Sequence, residues 1–427
     1  MNPLNNRKSG SKTAHNHRTL QKDVGESGFS PKPSRVVVVG SGLVGSTYAY
    51  TLLVEEVADE ICIVDIAKEK AIGQALDLGH AVPFARKTTV WAGTIDDSES
   101  ADIVVIAAGA SQKPGETRMD LLRENSRIVW EIAREVGRLN PRVILLVVTN
   151  PVDVMGYVAW KASGLPSNQV MGSGTLLDTA RLRWSIAGEL DIDPRSVHIH
   201  VVGEHGDSET VAWSLGNVAG IPLNSFASLT QEKRHELFEQ VRNAAYHIID
   251  TKGATYYAIA LGLTRLTQAI LKDSRTVFSV STLLRDCQGV QEVFAGMPCI
   301  VGRKGVMQVL ELPVTGQEAT GLRRSLEILK RAQESLDLED YAAREAQRSR
   351  ERAVLNASFE TGCDPGGGYD VAVEELPNRS PTRPGKRGTS VAILGRPARR
   401  PRKLYRPGQP QRIESPASLS DRRNPRA

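Results

Sequence analysis

Apolar and polar positions fall into three regimes along the chain. In residues 1–34 the apolar side chains are scattered among Asn, Ser, Lys and Gly without a period. Such a stretch buries too little apolar surface to offset its ordering entropy, and it reads as a disordered arm. At Arg35 the pattern changes abruptly. Residues 36–39 are an unbroken Val run closed by Gly40, as expected of a parallel strand buried on both faces. Residues 44–57 then predict a helix, 61–65 a second strand and 68–78 a second helix. Residues 102–107 and 143–148 are two more apolar strands, with a helix over 119–137 between them. Strands alternating with helices imply right-handed crossovers and a doubly wound parallel sheet.

The second half is more mixed. Helices are predicted over 176–188, 232–249, 255–271 and 318–334, with strands over 197–202 and 277–284. Beyond about Tyr341 the period is lost again. Asp364-Pro365-Gly366-Gly367-Gly368 and the Pro- and Arg-rich stretch from Pro377 belong to a chain that does not fold. The organisation expected is a disordered arm (1–34), a doubly wound domain (35–170), a separate α+β domain (171–336) and a disordered basic tail (337–427). No internal repeat is apparent.

Composition alters this picture in one respect. The net charge of +5 divides unevenly: residues 1–34 carry +4 and residues 341–427 carry +9, leaving −8 on residues 35–340. The part expected to fold is acidic, and the basic balance belongs to the ends. The four cysteines, Cys62, Cys287, Cys299 and Cys363, are far apart and form no CxxC pair. That argues against a zinc site or a disulfide framework, so no metal is expected. No apolar run approaches the roughly 18 residues of a membrane span. The polar N-terminus has no signal-peptide segment, and a cytoplasmic location is expected.

The first candidate chemistry lies where the first strand meets the first helix. Gly40-Ser41-Gly42-Leu43-Val44-Gly45 is a GxGxxG, and Asp65 follows Gly45 by twenty residues at the end of the next strand. The glycines permit a tight turn, close backbone approach to a pyrophosphate and close helix–strand packing. The phosphates then meet unsatisfied N–H groups at a helix N-terminus. A carboxylate at Asp65 accepts ribose hydroxyls and repels a 2′-phosphate, so NAD is expected rather than NADP.

Six further segments carry polar residues that packing does not explain. Gly109-Ala110-Ser111-Gln112-Lys113-Pro114-Gly115-Glu116-Thr117-Arg118 suits a mobile lid. Thr149-Asn150-Pro151-Val152-Asp153 ends a strand. Gly172-Ser173-Gly174-Thr175 leads into Asp178-Thr179-Ala180-Arg181 on a helix. Gly203-Glu204-His205-Gly206-Asp207 and Gly253-Ala254-Thr255 complete the set.

With these residues together, the chain resembles the bacterial L-lactate dehydrogenase family over roughly residues 35–336. The resemblance implies an α/β fold: an N-terminal Rossmann domain with its doubly wound parallel sheet, plus an α+β catalytic domain, commonly in a homotetramer. It implies NAD contacts from Gly40, Gly42, Leu43, Gly45, Asp65, Lys70, Gly109, Ala110, Asn150 and Ser173. It makes His205 the proton acceptor from the substrate hydroxyl, oriented by Asp178. It makes Arg181 the clamp on the substrate carboxylate, a bidentate role that suits a guanidinium. Arg118 swings in with the lid to polarise the carbonyl, while Asn150, Gln112 and Thr255 line the substrate.

Lactate and malate enzymes share this plan. The resemblance places Gln112 opposite the substrate's variable group, where malate enzymes use Arg. A neutral Gln disfavours a second, desolvated carboxylate, so lactate and pyruvate are expected, with malate the alternative. The resemblance also matches Arg183 and His198 to an allosteric pocket for fructose 1,6-bisphosphate between subunits. A different class of function attaches to the tail: Arg396, Arg399, Arg400, Arg402, Lys403 and Arg406, with Tyr405, form a cluster of the kind that binds nucleic acid. A solvated tail is the commoner meaning of such a run, and nucleic acid is not the expected partner.

Overall fold

A computed structural model of the chain describes residues 32–110 and 117–336, together with Leu338 and Tyr341. Residues 1–31 of the expected arm, the lid centre at Ser111–Glu116 with Gln112, Cys363 and the basic cluster lie outside the described residues.

The first half alternates as its periodicity predicts. In chain order the elements are β1 (Arg35–Val39), α1 (Leu43–Val54), β2 (Glu60–Val64), α2 (Lys68–Ala81), β3 (Thr89–Ala92), β4 (Ile103–Ile106), α3 (Arg118–Leu139), β5 (Ile144–Val147), α4 (Val152–Ser163) and β6 (Val170–Gly172). These six strands are parallel and run in the order β3-β2-β1-β4-β5-β6. Val36, Val37 and Val38 are completely buried. Each such side chain contributes about 1.5–3 kcal/mol by leaving water, which holds β1 at the centre of the sheet. The strand order reverses between β1 and β4, and a crevice opens there at the carboxyl ends of the strands.

The second half adds α5 (Leu176–Leu190), the short strands β7 (Val197–His198), β8 (Val201–Val202), β9 (Thr210–Val211), β10 (Asn217–Val218) and β11 (Ile221–Pro222), then α6 (Gln231–Lys252), α7 (Tyr257–Lys272), β12 (Thr276–Cys287), β13 (Val290–Gly302), β14 (Gly305–Val309) and α8 (Gly316–Glu334). The sheet does not stop where the sequence suggested a separate domain. Ser281 of β12 bridges Gly172 of β6, and β12, β13 and β14 extend it antiparallel to nine strands.

Other differences have local causes. The single strand expected over 197–202 is two: β7 pairs with β10, and β8 pairs with β9 in another sheet. The first helix stops at Val54, before Glu56 in the left-handed region (φ 54). The strand β3, helix α4, strand β6 and the β13–β14 hairpin were not anticipated. Within the expected tail, Leu338 and Tyr341 pack on the main core. Tyr341 stacks on Trp130 at 5.9 Å between ring centres. Cys62 and Cys299 are fully buried as small apolar side chains. No helix among the described residues is long and apolar enough to cross a membrane.

Candidate active site

The carboxyl end of β1 turns at Gly40 with φ +102. A Cβ there would lie 2.5 Å from the backbone nitrogen of Ala108, so the turn brings the ends of β1 and β4 together. At Gly45 a Cβ would lie 1.9 Å from the Gly40 carbonyl oxygen, which lets α1 pack onto the turn. Gly42 is different. Nothing lies within 4 Å of its Cβ position, and it begins α1 with no side-chain cap and no acidic residue in the first turn. The first N–H groups of that helix have no side-chain cap, as a helix start that receives a phosphate requires.

Asp65 sits just beyond β2, beside this loop. Its Oδ2 accepts from Ser41 N–H and Ser41 Oγ–H, both at 2.7 Å, and its Oδ1 accepts from Ala67 N–H at 2.9 Å. Partial burial favours the neutral acid, but these donors and the Lys70 ammonium outweigh it, so the carboxyl titrates below its ordinary value. The charge expected at a ribose is therefore present and held in place before any ligand arrives. Lys70 is exposed on α2, and the apolar Leu43, which begins α1, and Ile66, next to Asp65, are exposed. These residues fit the adenosine and phosphate parts of a dinucleotide.

The crevice continues along β4 and β5. Ala110 N–H donates to Asn125 Oδ1 at 2.8 Å, and Asn125 Nδ2–H donates to the Asn150 carbonyl at 2.9 Å. Buried Asn125 thus ties the segment after β4, with Gly109, to the segment after β5. Asn150 precedes Pro151 through a cis bond. Ser173 is buried at the end of β6, its N–H on the Val147 carbonyl at 2.9 Å. Arg118 begins α3 behind a capping box formed by Thr117 and Asp120; its side chain, like Gln112, lies outside the described part.

His205 is where the two halves converge. Its Nδ1 lies 2.5 Å from Asp178 Oδ2, and Arg181 Nη1–H donates to Asp178 Oδ1 at 2.9 Å. Asp178 and Arg181 are three apart on α5 and share one face. The His205 backbone N–H donates to Asp153 Oδ2, on α4, at 2.8 Å. Burial works against a charged imidazole, but the carboxylate of Asp178, with those of Asp153 and Glu209 behind it, outweighs it and raises the pKa to about 9. Asp178 is buried, yet the His205 and Arg181 charges hold it below its ordinary value. The ring is fixed through Nδ1, leaving Nε2 for proton exchange.

Sequence reasoning missed four residues here. Asn125 is one, its only signal being a polar side chain on the buried face of α3. Asp153 stood inside a quoted motif without a role; it is 2% exposed, and burial raises its pKa to about 6. Glu209 is buried four residues after His205; burial first, then the Asp178 charge, raises it to about 9. Ser325 of α8 accepts from Glu204 N–H at 2.8 Å, fixing the other side of the His205 loop.

Thr255 is half-buried between α6 and α7. Arg183 and His198 lie apart from this crevice. Arg183 Nε–H and Nη2–H both donate to the Ile199 carbonyl, at 3.3 and 3.2 Å, and His198 is exposed. Between them is His200, its Nδ1 3.0 Å from Ser279 Oγ. Burial, then the charges of Arg183 and His198, lower its pKa to about 4.

Two family models match the chain. Residues 34–172 match the lactate/malate dehydrogenase NAD-binding domain, and residues 175–337 match the α/β C-terminal domain of the same family. The chain is 44% identical over 310 residues to an L-lactate dehydrogenase of Thermoanaerobacter pseudethanolicus, covering 71% of this chain and all of that protein. It is 46% identical over 302 residues to an L-lactate dehydrogenase of Clostridium botulinum, covering 70% of this chain and 95% of the relative. Among solved structures, the ligand-bound minor L-lactate dehydrogenase of Enterococcus mundtii superposes with a TM-score of 0.70 at 41% identity, covering 71% of this chain and 99% of that one.

Proposed function

The chain belongs to the lactate/malate dehydrogenase family of NAD-dependent oxidoreductases, and from that premise we propose that it interconverts L-lactate and pyruvate. The observation that carries the reading is the Asp178–His205 pair at 2.5 Å beside Arg181. NAD supplies the hydride acceptor or donor when bound. His205 takes the hydroxyl proton of lactate, or returns a proton to the oxygen of pyruvate. A base or acid placed this way is worth about 10²–10⁴ in rate. Asp178 holds the tautomer and stabilises the imidazolium. Arg181 binds the substrate carboxylate, giving its second donor set to the ligand while remaining on Asp178.

Arg118 stabilises charge on the carbonyl oxygen when the lid closes, and Asn150 hydrogen-bonds the same end of the substrate. Gln112 and Thr255 bound the methyl pocket. A neutral Gln112 supports lactate over malate, because a buried second carboxylate there lacks a counter-charge. The relatives named L-lactate dehydrogenases support the same choice. Leu43, Lys70, Gly109, Ala110 and Ser173 line the path of NAD between the glycine loop and His205.

Two further parts of the reading concern the assembly. Arg183 and His198 form a positive patch suited to the phosphates of fructose 1,6-bisphosphate, and a homotetramer brings such patches together. A steady-state comparison of pyruvate with oxaloacetate, using NADH with and without fructose 1,6-bisphosphate, tests the proposal. Preference for pyruvate and a lowered KM with the sugar phosphate are expected. Preference for oxaloacetate overturns the substrate assignment, and an unchanged saturation curve overturns the effector site. His205→Asn is expected to bind NADH and to turn over neither substrate.

A further inference from the structure

The His205 loop is pinned by a second carboxylate that the reaction scheme above does not use. Asp153 is on the first turn of α4 and is 2% exposed. Its Oδ2 accepts the His205 backbone N–H at 2.8 Å, while its Oδ1 is buried without a hydrogen-bond partner. Ser281 Oγ, on β12 beside it, is also buried; the two make no well-aligned hydrogen bond, though the hydroxyl lies close enough to favour the ionised carboxyl. A buried carboxyl left half-satisfied is costly and is uncommon where anchoring alone is needed. An Asn, or a backbone carbonyl, would hold the same N–H without a charge.

We propose that Asp153 is a positioning residue with two roles: it fixes the His205 backbone, and it acts as a second counter-charge that favours the imidazolium. The proposal rests on His205 being the acid and base of the reaction. The charged groups facing His205 come from three directions. Asp178 and Arg181 approach from α5, Asp153 from α4, and Glu209 from the strand β9 side of the same loop. Glu204 and His205 are the charges that face Asp153. Asp178 is the main counter-charge and is shared with Arg181, whereas the charges facing Asp153 include no guanidinium, so it adds negative charge that only His205 draws on. Its pKa of about 6 leaves it mostly ionised at neutral pH and protonated in acid. The support for the imidazolium is therefore greatest above pH 6, where solution protons no longer favour that form.

Asp153→Asn separates the two roles, because the amide oxygen still accepts from His205 N–H while the charge is gone. The pH profiles of kcat/KM for pyruvate reduction and lactate oxidation are measured for both proteins, alongside the melting temperature. We expect melting temperatures close together and both profiles displaced to lower pH by about half a unit or more, on the scale of one buried charge acting at short range. Profiles that superimpose on those of the wild type overturn the counter-charge. If Asp153→Asn does not fold, Ser281→Ala probes the same charge. It removes a polar neighbour that favours ionised Asp153, so a smaller displacement in the same direction is expected, and no displacement overturns the proposal. A wild-type protein inert towards pyruvate removes this proposal together with the assignment of His205. An active wild type with superimposed profiles removes this one alone.

Discussion

At the residue scale, the roles proposed for His205 and Asp178 predict how activity and stability depend on pH. The His205 pKa of about 9 lies above the roughly 6.5 of an unfolded histidine. Pyruvate reduction needs the protonated ring, so its kcat/KM is expected to hold through neutral pH and to fall as pH passes about 9. Lactate oxidation needs the neutral ring and is expected to rise over the same range. For stability the sign follows from the raised pKa: the contribution is full below about 6.5 and is lost as pH rises through 9. Asp178, held below its ordinary value, contributes above the unfolded carboxylate range and loses that contribution as pH falls through its folded value. Asp178→Asn is expected to lower pyruvate turnover by about 10²-fold or more, since the tautomer is no longer fixed. It is also expected to move the upper limb of the pH profile towards neutrality. Stopped-flow and steady-state rates across pH 6–10 check both, and an unmoved limb assigns that limb to another group.

At the element scale, the starts of two helices shape the end of the crevice proposed for the cofactor. The α1 N-terminus is bare because Gly42 caps it without a side chain, and α1 reaches the turn because Gly45 is small. A methyl group at Gly45 meets the Gly40 carbonyl oxygen at 1.9 Å, so helix and loop must separate. Gly45→Ala is expected to destabilise the fold by about 1–3 kcal/mol, as overpacking does. It is also expected to weaken NADH binding more than it weakens folding, which a melting curve and a fluorescence titration together resolve. An unchanged NADH affinity sinks the placement of the pyrophosphate on α1. The start of α3 is built differently: the capping box of Thr117 and Asp120 satisfies the N–H groups that α1 leaves bare.

At the scale of the whole molecule, the sequence divides its charge between an acidic middle and strongly basic ends. The net charge of residues 35–340 is −8, and the last 87 residues carry +9. Every residue assigned to the reaction or to NAD lies in the body, as do both family matches. Tyr341 also belongs to it, through its stacking on Trp130 and its hydroxyl on the Arg123 carbonyl at 3.3 Å. Removal of residues 342–427 is therefore expected to leave kcat and KM for pyruvate unchanged. Removal from residue 337 deletes the Leu338 and Tyr341 contacts and is expected to lower the melting temperature. Comparing the two truncations by calorimetry and assay checks this, and loss of activity in the shorter deletion gives the tail a functional part.

Local pattern determined much of this protein without any tertiary information. The Val run closed by Gly40, the spacing to Asp65 and the pairing of Asp178 with Arg181 follow from strand burial, turn geometry and helical period, all of which act within a few residues. The GEHGD motif placed His205 in a loop after an apolar run for the same reason. Tertiary structure alone decided what those residues meet. Asp153 lies 52 positions before His205, Ser325 lies 121 after Glu204, and Asn125 lies 25 before Asn150. None of these contacts leaves a period in the chain, because each is made when strand ends and loops converge at the crevice. The nine-stranded sheet, the division of residues 197–202 between two sheets and the burial of Asp153 against the His205 loop arise from packing between distant elements.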